Sequence, residues 1–213
     1  FIILITFISF GQEKHSKNYF RNPLNIPSVV AGTFGELRSN HFHAGIDLKT
    51  QGKEGLKVFA TANGFISRIK VAQFGYGKTI YISHPNGYTT VYAHLSRYND
   101  KIESYVKKIQ YKKENYQTGN LFFKKGKFPV KKGEIIAFSG NTGSSGGPHL
   151  HYEIRNTKTE HILNPLIFGL YPEDTISPVF QSLMVYALGL HSRINNHHKN
   201  TIVSLKKNQR GSL

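Results

Sequence analysis

KTIYISHP (residues 78–85) and YTTVYAHL (88–95) stand on either side of Asn86-Gly87. Both flanks are rich in β-branched and aromatic residues, and Asn-Gly is the dipeptide favoured by a two-residue type I′ turn. The stretch predicts an antiparallel hairpin. A two-residue loop pairs Ile82 with Val91 and Ile80 with Ala93 on one face. Tyr81 with Tyr92 and Thr79 with His94 then occupy the other, more polar face.

The same texture extends in both directions. HLHYEIR (149–155) alternates cleanly, with His149, His151, Glu153 and Arg155 on one face and Leu150, Tyr152 and Ile154 on the other. VKKGEIIAFSG (130–140) reads as a strand and its entry. Asn63-Gly64, between LKVFATA and FISRIKVA, predicts a second hairpin. The expected fold class is all-β, a mainly antiparallel sheet or barrel-sandwich core with a short helical insert. The helix is expected in NDKIESYVKKIQYKKENY (99–116), where Ile102, Val106 and Ile109 have helical spacing and Asp100 lies near the start. The whole insert, 99–128, leaves directly after the His94 strand and returns before a Gly-rich loop. It reads as an appendage anchored near the functional groove, outside the core.

Around this region the organisation is as follows. Residues 1–11, FIILITFISFG, are apolar, uncharged and too short to span a bilayer, and Ser9 and Gly11 have the spacing of a signal-peptidase site. They read as the remnant of a signal peptide, which places the protein outside the cytoplasm, secreted or in the periplasm and cell envelope. Residues 12–28 read as a polar lead-in loop. Residues 29–176 form the main domain, and 177–213 read as the start of a truncated C-terminal β segment.

Composition narrows the chemistry. With 38% hydrophobic and 13% aromatic residues the chain can build a packed core. The net charge of +16 favours polyanionic partners. Ten lysines against two glutamates fall between residues 101 and 133, so the basic character rests largely on one insert. No nucleic-acid motif accompanies it, and an anionic wall polymer is the partner expected there. There is no cysteine, so a metal site must be built from His and carboxylate.

Three short histidine patterns occur together. His43-Ala-Gly-Ile-Asp47 is an H-x-x-x-D. In an extended strand its ends would lie about 13 Å apart, so the backbone must bend if both are to reach one ion, and Gly45 is placed to allow it. His149-Leu150-His151 puts two imidazoles on one strand face about 6.6 Å apart. One can bind a metal while the other reaches water or substrate. The same H-x-H spacing recurs at His41–His43, so one copy is a decoy. Tyr92-Ala93-His94-Leu95 ends the first hairpin. The Gly-rich run 139–148 before His149 reads as a loop whose backbone approaches a ligand; with no Lys after its glycines and a strand following, it is not a phosphate loop.

Taken together, FGELRSNHFHAGIDL (34–48), VFATANGFI (58–66), GYGKTIYISHPNGYTTVYAHL (75–95), VKKGEIIAFSGNTGSSGGPHLHYEIR (130–155) and LNPL (163–166) resemble the lysostaphin/LytM-type zinc metallopeptidases. The resemblance implies an antiparallel sheet with a groove over one Zn2+ per chain, held by His43, Asp47 and His151. It implies that His149 and His94 flank the reacting carbonyl, with His149 favoured as general base. The expected activity is zinc-dependent endopeptidase hydrolysis of peptidoglycan peptide cross-links. Two His and one Asp leave a fourth zinc position for water, as in catalytic sites. The competing readings are a catalytically inactive wall-binding scaffold or hydrolase activator of the same fold, and a basic binding module whose histidines are incidental.

Overall fold

The structure, a computed structural model, describes residues 17–172 and 182–204. The expected signal-peptide remnant 1–11 lies outside the described residues. The chain divides into two compact units, 1–173 and 174–213.

The first unit contains, in chain order, β1 (Val30–Gly32), β2 (Ile46–Lys49), β3 (Lys57–Phe59), β4 (Gly64–Val71), β5 (Lys78–Ser83), β6 (Tyr88–Ala93) and β7 (Arg97–Tyr98). Helix α1 (Asp100–Lys113) follows. Then come β8 (Gly119–Phe122), β9 (Pro129–Val130), β10 (Ile135–Phe138), β11 (His149–Asn156), β12 (Ile162–Leu163) and a 3₁₀ turn, Pro165–Phe168. The main sheet runs β1-β2-β11-β6-β5-β4-β8, with β12 added to β11 and β9 to β4; β3-β10-β7 form a second, three-stranded sheet. Neighbouring strands are antiparallel. The all-β architecture with one helix is the one expected. The second unit pairs β13 (Ser182–Val185) with β14 (Thr201–Ser204).

β11 separates its faces as its alternation predicts. Leu150, Tyr152 and Ile154 are buried in the core together with Ile46 and Leu48 of β2, Ile80 and Ile82 of β5, and Val58 and Ile136 of the small sheet. His149, His151 and Glu153 lie on the other face, beside Asp47 of β2. Residues 17–28 form no regular element, yet Phe20 and Leu24 join the core.

Three local expectations need correction. The β5–β6 hairpin exists, but its register is Ile80↔Tyr92, Tyr81↔Val91 and Ile82↔Thr90, one residue away from that of a two-residue loop. A two-residue loop would need an N–H from Pro85 to close the ladder, and proline has none. The loop instead has three residues. Gly87 N–H donates to His84 O at 3.2 Å and His84 N–H to Tyr88 O at 2.9 Å. Gly87 takes the left-handed conformation (φ 83°), as in a type I turn followed by a bulge. The slip brings Tyr92 onto the face of Ile80, and Tyr92 is fully buried.

Asn63-Gly64 is not a hairpin turn. β3 pairs with β10, whereas β4 pairs with β5, β8 and β9. The chain crosses between sheets here. Asn63 is occupied by long-range partners: its side-chain oxygen accepts from Lys132 N–H at 2.8 Å and its carbonyl from His84 Nδ1 at 2.9 Å.

The insert is part of the core. Asn99 caps α1, its side chain accepting from Ile102 N–H at 3.1 Å. Ile102 and Val106 are buried in the same cluster as the sheet residues, with Phe128. β8 extends the sheet edge remote from β1 and β2. No residue of 99–128 lines the histidine-bearing cavity. The helix was misplaced because an apolar stripe does not say which surface it covers; here it covers the body of the sheet. Ile102→Ala is expected to lower unfolding stability by about 2–4 kcal/mol, read from the denaturant midpoint. Tyr111→Ala, at a side chain 81% exposed on the same helix, should stay within about 0.5 kcal/mol.

Candidate active site

β2 and β11 run antiparallel with Asp47 directly opposite His151, and His151 is in turn opposite Ala93 of β6. Directly paired residues place their side chains on one face, within reach of each other. Asp47 and His151 are thus brought together by register alone. His43 arrives from the loop before β2, where its N–H donates to Glu36 O at 2.8 Å and its carbonyl accepts from Gly35 N–H at 2.9 Å.

Three atoms converge. His43 Nε2 lies 3.0 Å from His151 Nδ1 and 3.1 Å from Asp47 Oδ1, and His151 Nδ1 lies 2.9 Å from Asp47 Oδ1. All three residues are buried. Each has its other polar atom engaged outside the cluster. His43 Nδ1–H donates to Thr33 O at 2.8 Å, so Nε2 carries the free lone pair. His151 Nε2–H donates to Glu153 Oε1 at 2.9 Å, freeing Nδ1. Asp47 Oδ2 accepts from Arg38 Nη2 at 2.9 Å, freeing Oδ1. Three lone pairs facing one another repel unless a cation or extra protons lie among them. The trio can hold a metal ion. A tetrahedral ion with bonds of about 2.0–2.1 Å separates its ligands by about 3.3 Å, close to the spacing found.

Without a cation the cluster holds protons. Burial disfavours the His151 imidazolium, but the hydrogen bonds to Asp47 and Glu153 outweigh it and raise its pKa to about 9. Burial likewise works to raise the Asp47 carboxyl, and the close imidazoles of His149, His151 and His43 outweigh it and drive it well below the ordinary carboxylate range. Glu153 is fully buried and tied on all sides. It accepts from His151, from the Tyr76 hydroxyl, and from Arg155 Nε at 2.6 Å. Those bonds prevail over burial and hold its pKa at about 2, so it remains an anion behind His151.

His149 and His94 complete the group. His149 Nδ1–H donates to Gly147 O at 2.8 Å, and Nε2 lies 3.5 Å from Asp47 Oδ1. His94 is the surprise. Strict alternation in the observed register would send its side chain to the core side with Tyr92. The residue instead adopts φ 57°, in the left-handed region, just past the end of β6. It forms no ladder pair with Thr79; its N–H donates to Tyr76 O at 3.0 Å and its Nδ1–H to Thr142 O at 2.8 Å. This backbone turn puts the His94 ring 4.7 Å from that of His149. Burial pushes its pKa down to about 4, so it is neutral at pH 7 with Nε2 unprotonated.

The five predicted residues therefore share one cavity of about 280 Å³, which Arg38, Tyr76 and the loop 144–146 also line. His41 lines it as well but is exposed, with Nδ1 2.6 Å from Asn40 Oδ1, and takes no part in the trio. The His41–His43 spacing is the decoy copy. Gly45 has a reason other than the one expected. It has no left-handed φ, but a Cβ there would run into the Tyr152 carbonyl oxygen and Glu153 Cγ. It permits strand contact, not a bend. Sequence reasoning missed Arg38, Tyr76 and the role of Glu153. Only Glu153 left a signal, standing two residues beyond His151 on the same strand face.

Residues 41–111 and 115–165, more than half of the chain, match the model of peptidase family M23. A protein of Neisseria meningitidis named DD-carboxypeptidase/endopeptidase Mpg is 37% identical over 150 residues, covering 68% of this chain and 28% of that protein. The peptidoglycan DD-endopeptidase ShyC of Vibrio cholerae is 29% identical over 145 residues, 64% of this chain and 27% of its own length. The chain thus spans little more than a quarter of these relatives. Among solved structures, a zinc containing peptidase from Vibrio cholerae superposes with a TM-score of 0.50 at 23% identity, over 69% of this chain and 39% of the other. That likeness is one of fold. With more than half its length matched and the motif residues gathered at one cavity, the chain belongs to peptidase family M23.

Proposed function

We propose that the protein is a zinc-dependent endopeptidase that hydrolyses peptide cross-links of peptidoglycan. The observation that carries this reading is the convergence of His43 Nε2, Asp47 Oδ1 and His151 Nδ1 at the floor of an open cavity that also holds two further histidines. The relatives named as DD-endopeptidases support the substrate. Among the described residues no helix is long and apolar enough to cross a membrane. The site is read as at work in the cell envelope, where peptidoglycan lies.

The ion, one per chain, would be held by His43, Asp47 and His151, and it would polarise the scissile carbonyl and acidify a water. The remaining work belongs to the chain. His149, anchored through Nδ1 to Gly147 O, takes the attacking water's proton at Nε2 and passes it to the leaving amine. His94, anchored through Nδ1 to Thr142 O, presents an unprotonated Nε2 to the cavity, and it can donate to the charge that develops on the carbonyl only after taking up a proton there. Tyr76, Glu153 and Arg155 fix the His151 ring so that Nδ1 and not Nε2 faces Asp47 and His43, where the ion would be held.

The direct test incubates zinc-loaded protein with purified peptidoglycan of known cross-link chemistry and weighs the released fragments. Cross-linked dimers should give monomers, and a chelator should stop the reaction. An unchanged fragment pattern with zinc bound would refute the proposal. His43→Ala, Asp47→Ala and His151→Ala should each lose the metal by elemental analysis. His149→Ala and His94→Ala should keep it while turnover falls on the order of 10²–10³-fold.

Metal binding should also release protons. His151, with its pKa raised to about 9, is protonated at pH 7 in the metal-free protein and must give up the proton at Nδ1. Zinc affinity should therefore fall as the pH drops below about 9. Calorimetry at pH 7 in buffers of different ionisation heat should show on the order of one proton released per zinc. Glu153→Gln, which removes the charge behind His151, should weaken zinc binding about 10–100-fold.

A further inference from the structure

His94 holds a left-handed backbone, at φ 57°. A residue other than glycine keeps that conformation only where its surroundings over-determine it. Hydrogen bonds from two directions do so here. From β5 and the loop before it, Tyr76 O accepts from His94 N–H at 3.0 Å and Lys78 O from Leu95 N–H at 3.1 Å. From the Gly-rich loop, a single residue supplies two more. Thr142 O accepts from His94 Nδ1–H at 2.8 Å, and the Thr142 hydroxyl donates to Leu95 O at 2.9 Å.

That hydroxyl is used twice, since it also accepts from Lys78 N–H at 3.0 Å. Its oxygen bridges the start of β5 and the residue after His94, while the carbonyl of the same residue meets the His94 ring. Any residue at position 142 has a carbonyl. Only one that bears a hydroxyl can form the bridge by both donating and accepting at that point. The surroundings are closely fitted. A side chain at Gly77 would collide with Thr142, and one at Gly140 with the Ser96 backbone. Two residues on, Ser144 Oγ accepts from Gly75 N–H at 2.9 Å and Ser144 N–H donates to Gly75 O at 2.8 Å. The loop 72–77 and the Gly-rich loop are thus locked together at Thr142 and Ser144. Ser144 and Gly75 line the cavity, whereas Thr142 stands behind its wall.

We propose that Thr142 is a positioning residue, whose hydroxyl sets the Gly-rich loop so that its own carbonyl holds the His94 ring with Nδ1 protonated and Nε2 turned to the cavity. The inference rests on the peptidase reading and adds to it a residue that touches neither ion nor substrate. Without the hydroxyl, Leu95 O and Lys78 N–H lose a shared partner. The left-handed turn at His94 then loses one of its supports, and the Thr142 carbonyl is free to draw back from the ring. A displacement of about 1 Å in a reacting group can cost on the order of 10²-fold in rate.

The test compares Thr142→Val, which keeps the shape of the side chain without the hydroxyl, with Thr142→Ser, which keeps the hydroxyl. Nitrogen NMR of the imidazoles in zinc-loaded protein reads the His94 tautomer directly. Wild type and Thr142→Ser should show the Nδ1–H form, and Thr142→Val a mixture with Nε2–H. Turnover of cross-linked peptidoglycan fragments by Thr142→Val should fall about ten- to hundred-fold, in kcat rather than KM, with zinc content unchanged. Thr142→Ser should keep most of the activity. Added to His94→Ala, Thr142→Val should cost little more, because both act through one ring. If Thr142→Val does not fold, Thr142→Ala is read in the same way. A wild-type His94 in the Nε2–H form would overturn the proposal with no variant needed. So would an unchanged tautomer in Thr142→Val, or a loss of turnover as large in His94→Ala as in wild type. A tautomer shift in a protein that cuts no peptidoglycan would refute the peptidase reading and leave the hold of Thr142 on His94 standing; cleavage without the shift would do the reverse.

Discussion

Asp47 is a buried carboxylate with both oxygens committed, one to Arg38 and one to a cluster of imidazoles. A buried charge is tolerable only if it is paired and hydrogen-bonded. That requirement reaches through the molecule. It demands that β2 sit between β1 and β11, that His151 stand opposite in register, and that the loop carrying Arg38 and His43 fold back over the sheet. Displacing β11 by one residue would turn His151 into the core and leave Asp47 facing Leu150 or Tyr152.

The outer partners decide what the inner atoms can do. Carbonyl oxygens only accept, so Thr33 O, Gly147 O and Thr142 O each hold a proton on Nδ1 of His43, His149 and His94. His151 is the exception, pinned through Nε2 by the Glu153 carboxylate and hence presenting Nδ1. Four imidazoles thereby acquire defined tautomers from backbone and one buried acid. Rings held in this way need not rotate when an ion or a substrate arrives, although His151 must first give up its proton at Nδ1.

The core and the site use opposite faces of the same strands. Tyr92 and Tyr152 pack on the apolar side, where their hydroxyls meet at Thr61 Oγ1, at 2.9 and 3.1 Å. The polar side then carries Asp47, His151 and Glu153. Helix α1, though rich in lysine, contributes Ile102 and Val106 to the apolar side and nothing to the cavity. Charge counted along a chain is a guide to the field of the whole protein, not to any one pocket.

Periodicity was enough to read the antiparallel sheet and the split of β11 into two faces, because these depend on local alternation; the five residues that the family resemblance implies for the site line one cavity. The hairpin register is also legible in the sequence, since Pro85 lacks the N–H that a two-residue loop requires, and this outweighs the Asn-Gly preference for such a loop. Other features had no local signature. Asn63-Gly64 resembles a turn, but its partners Lys132 and His84 lie far along the chain. The stripe of α1 could have covered any surface. His94 reaches the cavity only through a left-handed backbone held by Tyr76 O and Thr142 O. Arg38 and Tyr76 enter the site from loops with no spacing relation to the histidines. Sequence alone determined which side chains could do the chemistry, because valence and hydrogen-bonding capacity belong to the residue. Tertiary structure decided which nitrogen of each ring is free and where the groove runs, because those depend on acceptors brought in from distant parts of the chain.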